Sequence, residues 1–134
     1  MIKFLKNVLF LFFMAVPLCQ YFGKCGGCSA QHIDNELQLE NKKKQLMRVS
    51  SCDEVKVFSD EPYHYRNRMD YVFHAHGIGL RAERKSSEII DIKECVIADK
   101  KLNELLLEVR DSFRSVDYFD VRKKKGTFRY VVLR

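Results

Sequence analysis

Three of the chain's five cysteines fall inside ten residues, in the stretch CQYFGKCGGCSAQH (19–32). This crowding constrains the fold more than any other feature. Thiols placed so close either enter disulfides or converge on a metal, and each outcome forces a tight local loop. The five cysteines, Cys19, Cys25, Cys28, Cys52 and Cys95, are odd in number and grouped three, one and one. That grouping suits a thiolate metal site better than a secreted disulfide framework. Gly26 and Gly27 let the backbone turn so that Cys25 and Cys28 face one centre. Their amides are also placed to donate hydrogen bonds to sulfur.

Cys95, in DIKECVI, follows a predicted strand and completes a set of C-x5-C-x2-C plus one distant cysteine. Four thiolates can close a tetrahedron round zinc or hold the corners of an iron–sulfur cube. Zinc ribbons pair two C-x2-C knuckles, whereas three ligands in one loop and one far away favour the iron–sulfur cluster. The competing arrangement leaves Cys95 as a buried thiol and closes a zinc site with His32. Cys52 has no partner in sequence and reads as a small core residue.

The charge is concentrated at the far end. The last fourteen residues, VRKKKGTFRYVVLR, carry six basic residues and no acid. Elsewhere eighteen basic residues balance eighteen acids, so the net charge of +6 resides in this segment. Such a surface attracts polyanions and loses the attraction in salt; a solvated hairpin tip is the plainer explanation.

Residues 1–18, MIKFLKNVLFLFFMAVPL, imitate an export signal, with Lys3 and Lys6 before an apolar run. Pro17 and Leu18 are not the small residues expected before a lipoprotein cysteine. Export would also carry the thiols into an oxidising compartment, and the run is short for a membrane span of roughly 20 residues. It reads as an atypical apolar leader in a cytoplasmic protein, with no membrane attachment expected.

With 134 residues the chain is long enough for one core. Asp34 caps a predicted helix to about Arg48, with Ile33, Leu37, Leu46 and Met47 as its apolar stripe and Lys42, Lys43 and Lys44 on its wet side. A short strand is predicted at 54–58. In EPYHYRNRMDYVFHAH, Tyr65, Met69, Tyr71 and Phe73 alternate with Arg66, Arg68, Asp70 and His74, the mark of a half-buried strand. GIGLRAERKSSEIIDI reads as two more strands with a polar hairpin loop, Gly77 and Gly79 marking a bend or a close backbone approach. Asp99 caps a second helix with Leu102, Leu105, Leu106, Val109 and Phe113 on one face. YFDVRKKKGTFRYVVLR reads as strand, turn and strand around Gly126. The predicted class is α+β, an antiparallel sheet with flanking helices and a Cys-rich loop. The last strand pattern is still running at Arg134, so residues 19–134 read as the front part of something longer.

These segments together, CQYFGKCGGCSAQHI, LQLENKKKQL, YHYRNRMDYVFH, GIGLR and IIDIKECVI, resemble the iron–sulfur-containing RNA (uracil-C5)-methyltransferases of bacterial ribosomal RNA and archaeal transfer RNA. The likeness runs nearly end to end over 19–134, and C-x5-CGGC-x2-QH is its most specific part. It implies that Cys19, Cys25, Cys28 and Cys95 ligate a [4Fe-4S] cluster close to the RNA, away from methyl transfer. The candidate RNA contacts are Tyr65, Arg66, Asn67 and Arg68 on the strand's polar rim and Lys123, Lys124 and Lys125 at the hairpin tip, the arginines on phosphate and a ring stacked on a splayed base; ordinary edge-strand solubility is the plainer explanation of Arg66 and Arg68.

Members of that family continue into a Rossmann-like domain that binds S-adenosylmethionine. Here all six glycines already have other places, so no Gly-rich cofactor loop remains. The family's cysteine nucleophile, which adds to uracil C6, and its general base belong to that domain too, and Cys52 is not in the nucleophile's motif. The chain is therefore expected to be the cluster-bearing, RNA-recognising part of such an enzyme. Acting alone it is not expected to transfer methyl groups, unless a separately encoded catalytic domain completes it. The competing reading is a small iron–sulfur electron carrier. Against it, Val96 stands where ferredoxins often carry proline after the last cysteine, and the basic end has no redox purpose.

Overall fold

The computed structural model describes residues 15–134, which form two compact units. One comprises Ala30–Glu61 with residues 15–18, and the other Cys19–Ser29 with Pro62–Arg134. The apolar leader lies, up to residue 14, outside the described residues.

The first unit is built on helix α1, Asn35–Ser50. As predicted, Asp34 caps it, its carboxylate accepting the Glu36 N–H at 2.9 Å. Gln38 fastens the entry by donating to the carbonyls of Ala30 and Ile33 at 3.0 and 2.8 Å. Ser51, with φ of 53°, ends the helix in the left-handed conformation. None of the helix's residues is buried, so the stripe through Leu37, Leu46 and Met47 builds no core of its own. Two expectations fail in this unit. Residues 54–58 form no strand, since an extended segment needs a partner ladder for its amides and carbonyls. Cys52 is exposed rather than in a core.

The second unit holds the sheet: β1 Met69–His74, β2 Gly77–Ala82, β3 Lys85–Asp91 and β4 Tyr130–Leu133, with helix α2, Lys100–Ser112. The strands are antiparallel in the order β3-β2-β1-β4. Alternation along β1 sends Met69, Tyr71 and Phe73 into the core, where they join Ile78, Leu133, Leu102 and Leu106. Tyr65, expected on that same face, precedes the strand and is 62% exposed. Asp99 caps α2 as predicted, accepting the Lys101 N–H at 2.8 Å. Phe113 closes the far end of the core with Phe73 and Phe128, ring centroids 5.6–5.9 Å apart. Arg110 ties α2 to the sheet through both oxygens of Asp91, each at 2.9 Å, and through the carbonyls of Ile78 and Ile92.

The final hairpin is the main correction. Only Tyr130–Leu133 is a strand, and it pairs with β1, not with residues 118–121. The earlier arm makes two isolated bridges, Tyr118 to Phe128 and Asp120 to Lys125. Gly126 allows this, for a Cβ there would lie 2.2 Å from the Tyr118 carbonyl oxygen. On the sheet face away from the core, Asp70 pairs with Val132 and Val72 with Tyr130, leaving the Tyr130 ring half exposed.

Candidate metal centre and nucleic-acid interface

The cysteine loop begins with a turn in which the amides of Lys24 and Cys25 both donate to the Tyr21 carbonyl, at 3.0 and 2.8 Å. Gly23, at φ of 77°, supplies the left-handed residue that this turn needs. The loop is then sewn to the end of β2: the Gly26 N–H donates to the Arg81 carbonyl at 2.9 Å, and the Glu83 N–H to the Lys24 carbonyl at 2.8 Å. A Cβ on Gly26 would press on the Ala82 carbonyl at 3.3 Å. Of the two glycine amides expected to serve sulfur, Gly27 does so, donating to Cys25 Sγ at 3.4 Å. Gly26 spends its amide on the sheet instead.

Cys95 comes from the turn between β3 and α2, which touches the loop where the Lys93 N–H donates to the Tyr21 hydroxyl at 3.3 Å. Asn103, itself buried in α2, grips this turn from both ends. Its Oδ1 accepts the Cys95 N–H at 2.9 Å and its Nδ2 donates to the Cys95 carbonyl at 3.1 Å. Asn103→Ala is expected to leave the Cys95 N–H unpaired in the interior, while the Cys95 carbonyl keeps the Ala98 N–H at 3.0 Å, at a cost of about 1–3 kcal/mol. Urea unfolding of the variant against the parent chain measures it.

Both inner thiols are shifted upward. Burial raises Cys25, the Gly27 N–H opposes it, and the thiols of Cys95, Cys19 and Cys28 add to the rise as like charges. Burial likewise raises Cys95 against the N–H groups of Ile97 and Ala98, with Cys28 and Cys19 contributing repulsion. Cys25 and Cys95 thus feel the charge of other members of the expected ligand set. Cys52 takes no part in these interactions.

Among the described residues, however, no group of three or more His, Cys, Asp or Glu side chains is positioned to hold a metal ion. The two observations differ because charge acts over longer distances than coordination does. In chemistry, four soft sulfur donors fit zinc or an iron–sulfur group. A second feature fits as well. The Tyr71 hydroxyl is fully buried beside this set and has no hydrogen-bond partner among the described residues.

Next to the loop opens a groove of about 1010 Å³, floored by the sheet face away from the core. Gly26 and Gly27 form one wall, and Arg66, Asn67 and Arg68 another. Five cations line it, Arg66, Arg68, Arg81, Arg84 and Lys85, against the carboxylates of Asp70 and Glu83. Arg68 is engaged by Asp70 at 3.0 Å and Arg84 lies 3.8 Å from Glu83. Among the described residues Arg66 and Arg81 make no ion pair with a carboxylate, though Arg81 touches the Ser86 carbonyl and the Tyr130 hydroxyl.

The groove continues, through Val72, Arg81, Ser86 and Tyr130, into a second one of about 530 Å³. There Arg129 lies 5.1 Å from the ring centroids of both Phe119 and Tyr130, a guanidinium between two aromatic faces.

Of the seven residues expected to meet RNA, the structure gathers Arg66, Asn67 and Arg68 in the first groove. Tyr65 is exposed but does not line it. Lys123, Lys124 and Lys125 are exposed and line neither groove themselves, although Asp120, Val121 and Arg122 of the same turn line the second one. Asp120 anchors that turn, accepting the amides of Arg122 and Lys123 at 2.8 and 3.1 Å. The Lys123 N–H foremost holds its carboxyl below the usual range. Sequence reasoning missed Arg81, Arg129 and Tyr130. The alternation in FRYVVLR marks Tyr130 as opposite in facing to Val131 and Leu133, but not which strand lies beside it.

No family model matches the chain. It is 36% identical over 120 residues to the tRNA (uracil(54)-C(5))-methyltransferase of Pyrococcus abyssi, covering 88% of this chain and 30% of that protein. It is 33% identical over 126 residues to an uncharacterized RNA methyltransferase of Thermotoga maritima, covering 88% of this chain and 28% of that protein. The crystal structure of the Pyrococcus abyssi tRNA (uracil-54, C5)-methyltransferase with S-adenosyl-L-homocysteine superposes with a TM-score of 0.70 at 34% identity, over 83% of this chain and 28% of that one. The chain spans about three tenths of the length of these curated relatives. Its relatives are RNA methyltransferases, tRNA uracil-C5 methyltransferases among them, and its fold is that of one portion of such an enzyme.

Proposed function

We propose that this chain is the RNA-recognising, cluster-bearing part of an S-adenosylmethionine-dependent RNA (uracil-C5)-methyltransferase that acts on tRNA or rRNA in the cytoplasm. The observation that carries the reading is that Cys25 of the C-x5-C-x2-C loop and Cys95 lie in one buried core cluster, with the loop's Gly26 and Gly27 lining a cationic groove. Cys19, Cys25, Cys28 and Cys95 are the residues that would hold a [4Fe-4S] group. Its chemistry would be structural, a soft inorganic centre that would tie the loop to the Cys95 turn. The N–H groups of Gly27, Ile97 and Ala98 stabilise thiolate at Cys25 and Cys95.

The groove's cations would meet phosphates, and Tyr130 offers a face for an unstacked base. S-adenosylmethionine, the cysteine nucleophile and the base would belong to a catalytic domain of the enzyme, with this portion supplying RNA binding.

Two measurements test this. Anaerobically purified chain should contain iron and show the broad thiolate-to-iron absorbance; zinc alone, or no metal, refutes the cluster. It should also bind a tRNA or rRNA hairpin, with affinity falling as salt rises. In the double variant Arg66→Ala, Arg81→Ala affinity should fall roughly tenfold, and the log–log salt slope should drop by about 1.4 for two lost single-strand phosphate contacts. Unchanged affinity and slope would remove RNA from the groove.

A further inference from the structure

Tyr71 is out of place by the rules that built the rest of the core. It sits on β1 between Met69 and Phe73 on the inward face, and it is completely buried. Its companions in the core cluster are the apolar Met69, Phe73, Ile78, Leu106 and Leu133, together with Cys25 and Cys95. Phenylalanine would fill the same space without the cost of stripping water from a hydroxyl that has no partner among the described residues. A buried tyrosine normally finds an acceptor for its O–H.

The ionisable groups that act on this hydroxyl are few. They are Cys95, Cys25 and Arg66, two of them members of the thiol set. Thiols are weak acceptors, whereas a metal-bound thiolate or an inorganic sulfide carries the negative charge that makes a good one. A phenol is protonated at neutral pH, and burial pushes this one further up, so it is available only as a donor toward such sulfur.

We propose that the Tyr71 hydroxyl donates a hydrogen bond to sulfur of the metal centre next to Cys25 and Cys95, making it a positioning and tuning residue for that centre. The inference rests on the cluster reading above and adds a second layer to it from the chain's own core. Donors of this kind stabilise the more negative, reduced state and hold the ligands in place.

The test uses the full chain, purified anaerobically with its iron. Tyr71→Phe should fold and keep its iron per chain, but its reduction midpoint should move to a more negative potential. Iron should also be lost to a chelator about ten times faster than from the parent. A purely packing role would leave the midpoint where it was. Should Tyr71→Phe prove insoluble, Tyr71→Met, equally without a donor, carries the same comparison. Full iron with unchanged midpoint and unchanged loss overturns this inference and leaves the cluster reading standing. A parent chain that holds zinc or no metal overturns both.

Discussion

Replacing Cys95 with serine is expected to empty the chain of iron, from about four atoms per chain in the parent to near none. The three loop cysteines share one short segment, and the loop reaches the sheet through backbone bonds to Arg81 and Glu83. Cys95 is the member of the set that comes from outside that loop, so its loss opens the ligand set on one side. Serine matches the thiol's shape but offers a harder, more basic oxygen that a soft centre holds poorly. The consequence reaches stability as well as metal content, because metal that binds only the folded chain adds its binding energy to folding. Iron analysis, the absorbance band and thermal unfolding of anaerobic protein read both effects. Cys52→Ser is the matched control: Cys52 is exposed and outside the set, and the variant should keep all its iron. Equal iron in Cys95→Ser and the parent would break the proposed ligand set at its far end.

Gly79→Ala is expected to destabilise the sheet by about 3–5 kcal/mol, a large part of the 5–15 kcal/mol typical of a whole domain. A Cβ at this position would fall 2.0 Å from the Ile90 carbonyl oxygen and 2.9 Å from Ile89 Cγ2. The oxygen belongs to backbone, so no side-chain rotation relieves the overlap; β2 and β3 have to separate. The damage would spread to the candidate centre, because the end of β2 receives the Gly26 amide and bridges Cys25 through Ala82. Chemical denaturation measures the loss, and a cost under about 1 kcal/mol would mean that the strands stand further apart than described.

Much of the fold is legible in the residues because its causes are local. Asp34 and Asp99 cap their helices through their own side chains two residues on. The β2–β3 hairpin follows from alternation on both sides of a polar loop, and Gly79 declares a close approach by lacking a side chain. The cysteine spacing likewise announces a loop able to converge on one centre. Failures come where a segment's fate depends on a partner distant in sequence. Residues 54–58 have strand-forming composition but nothing to pair with. FRYVVLR has strand composition too and finds β1, bypassing the arm that precedes it.

The chain's own chemistry settled the caps, the hairpin, the cysteine loop and the basic end, since each depends on neighbours a few residues away. Folding alone could bring Arg66, Arg81 and Tyr130 to one groove beside Gly26 and Gly27, and put Tyr71 in one core cluster with Cys25 and Cys95. Those meetings join segments as distant in sequence as Gly26 and Tyr130. Long-range pairing is decided by which apolar faces can be buried together, and no local pattern encodes that choice.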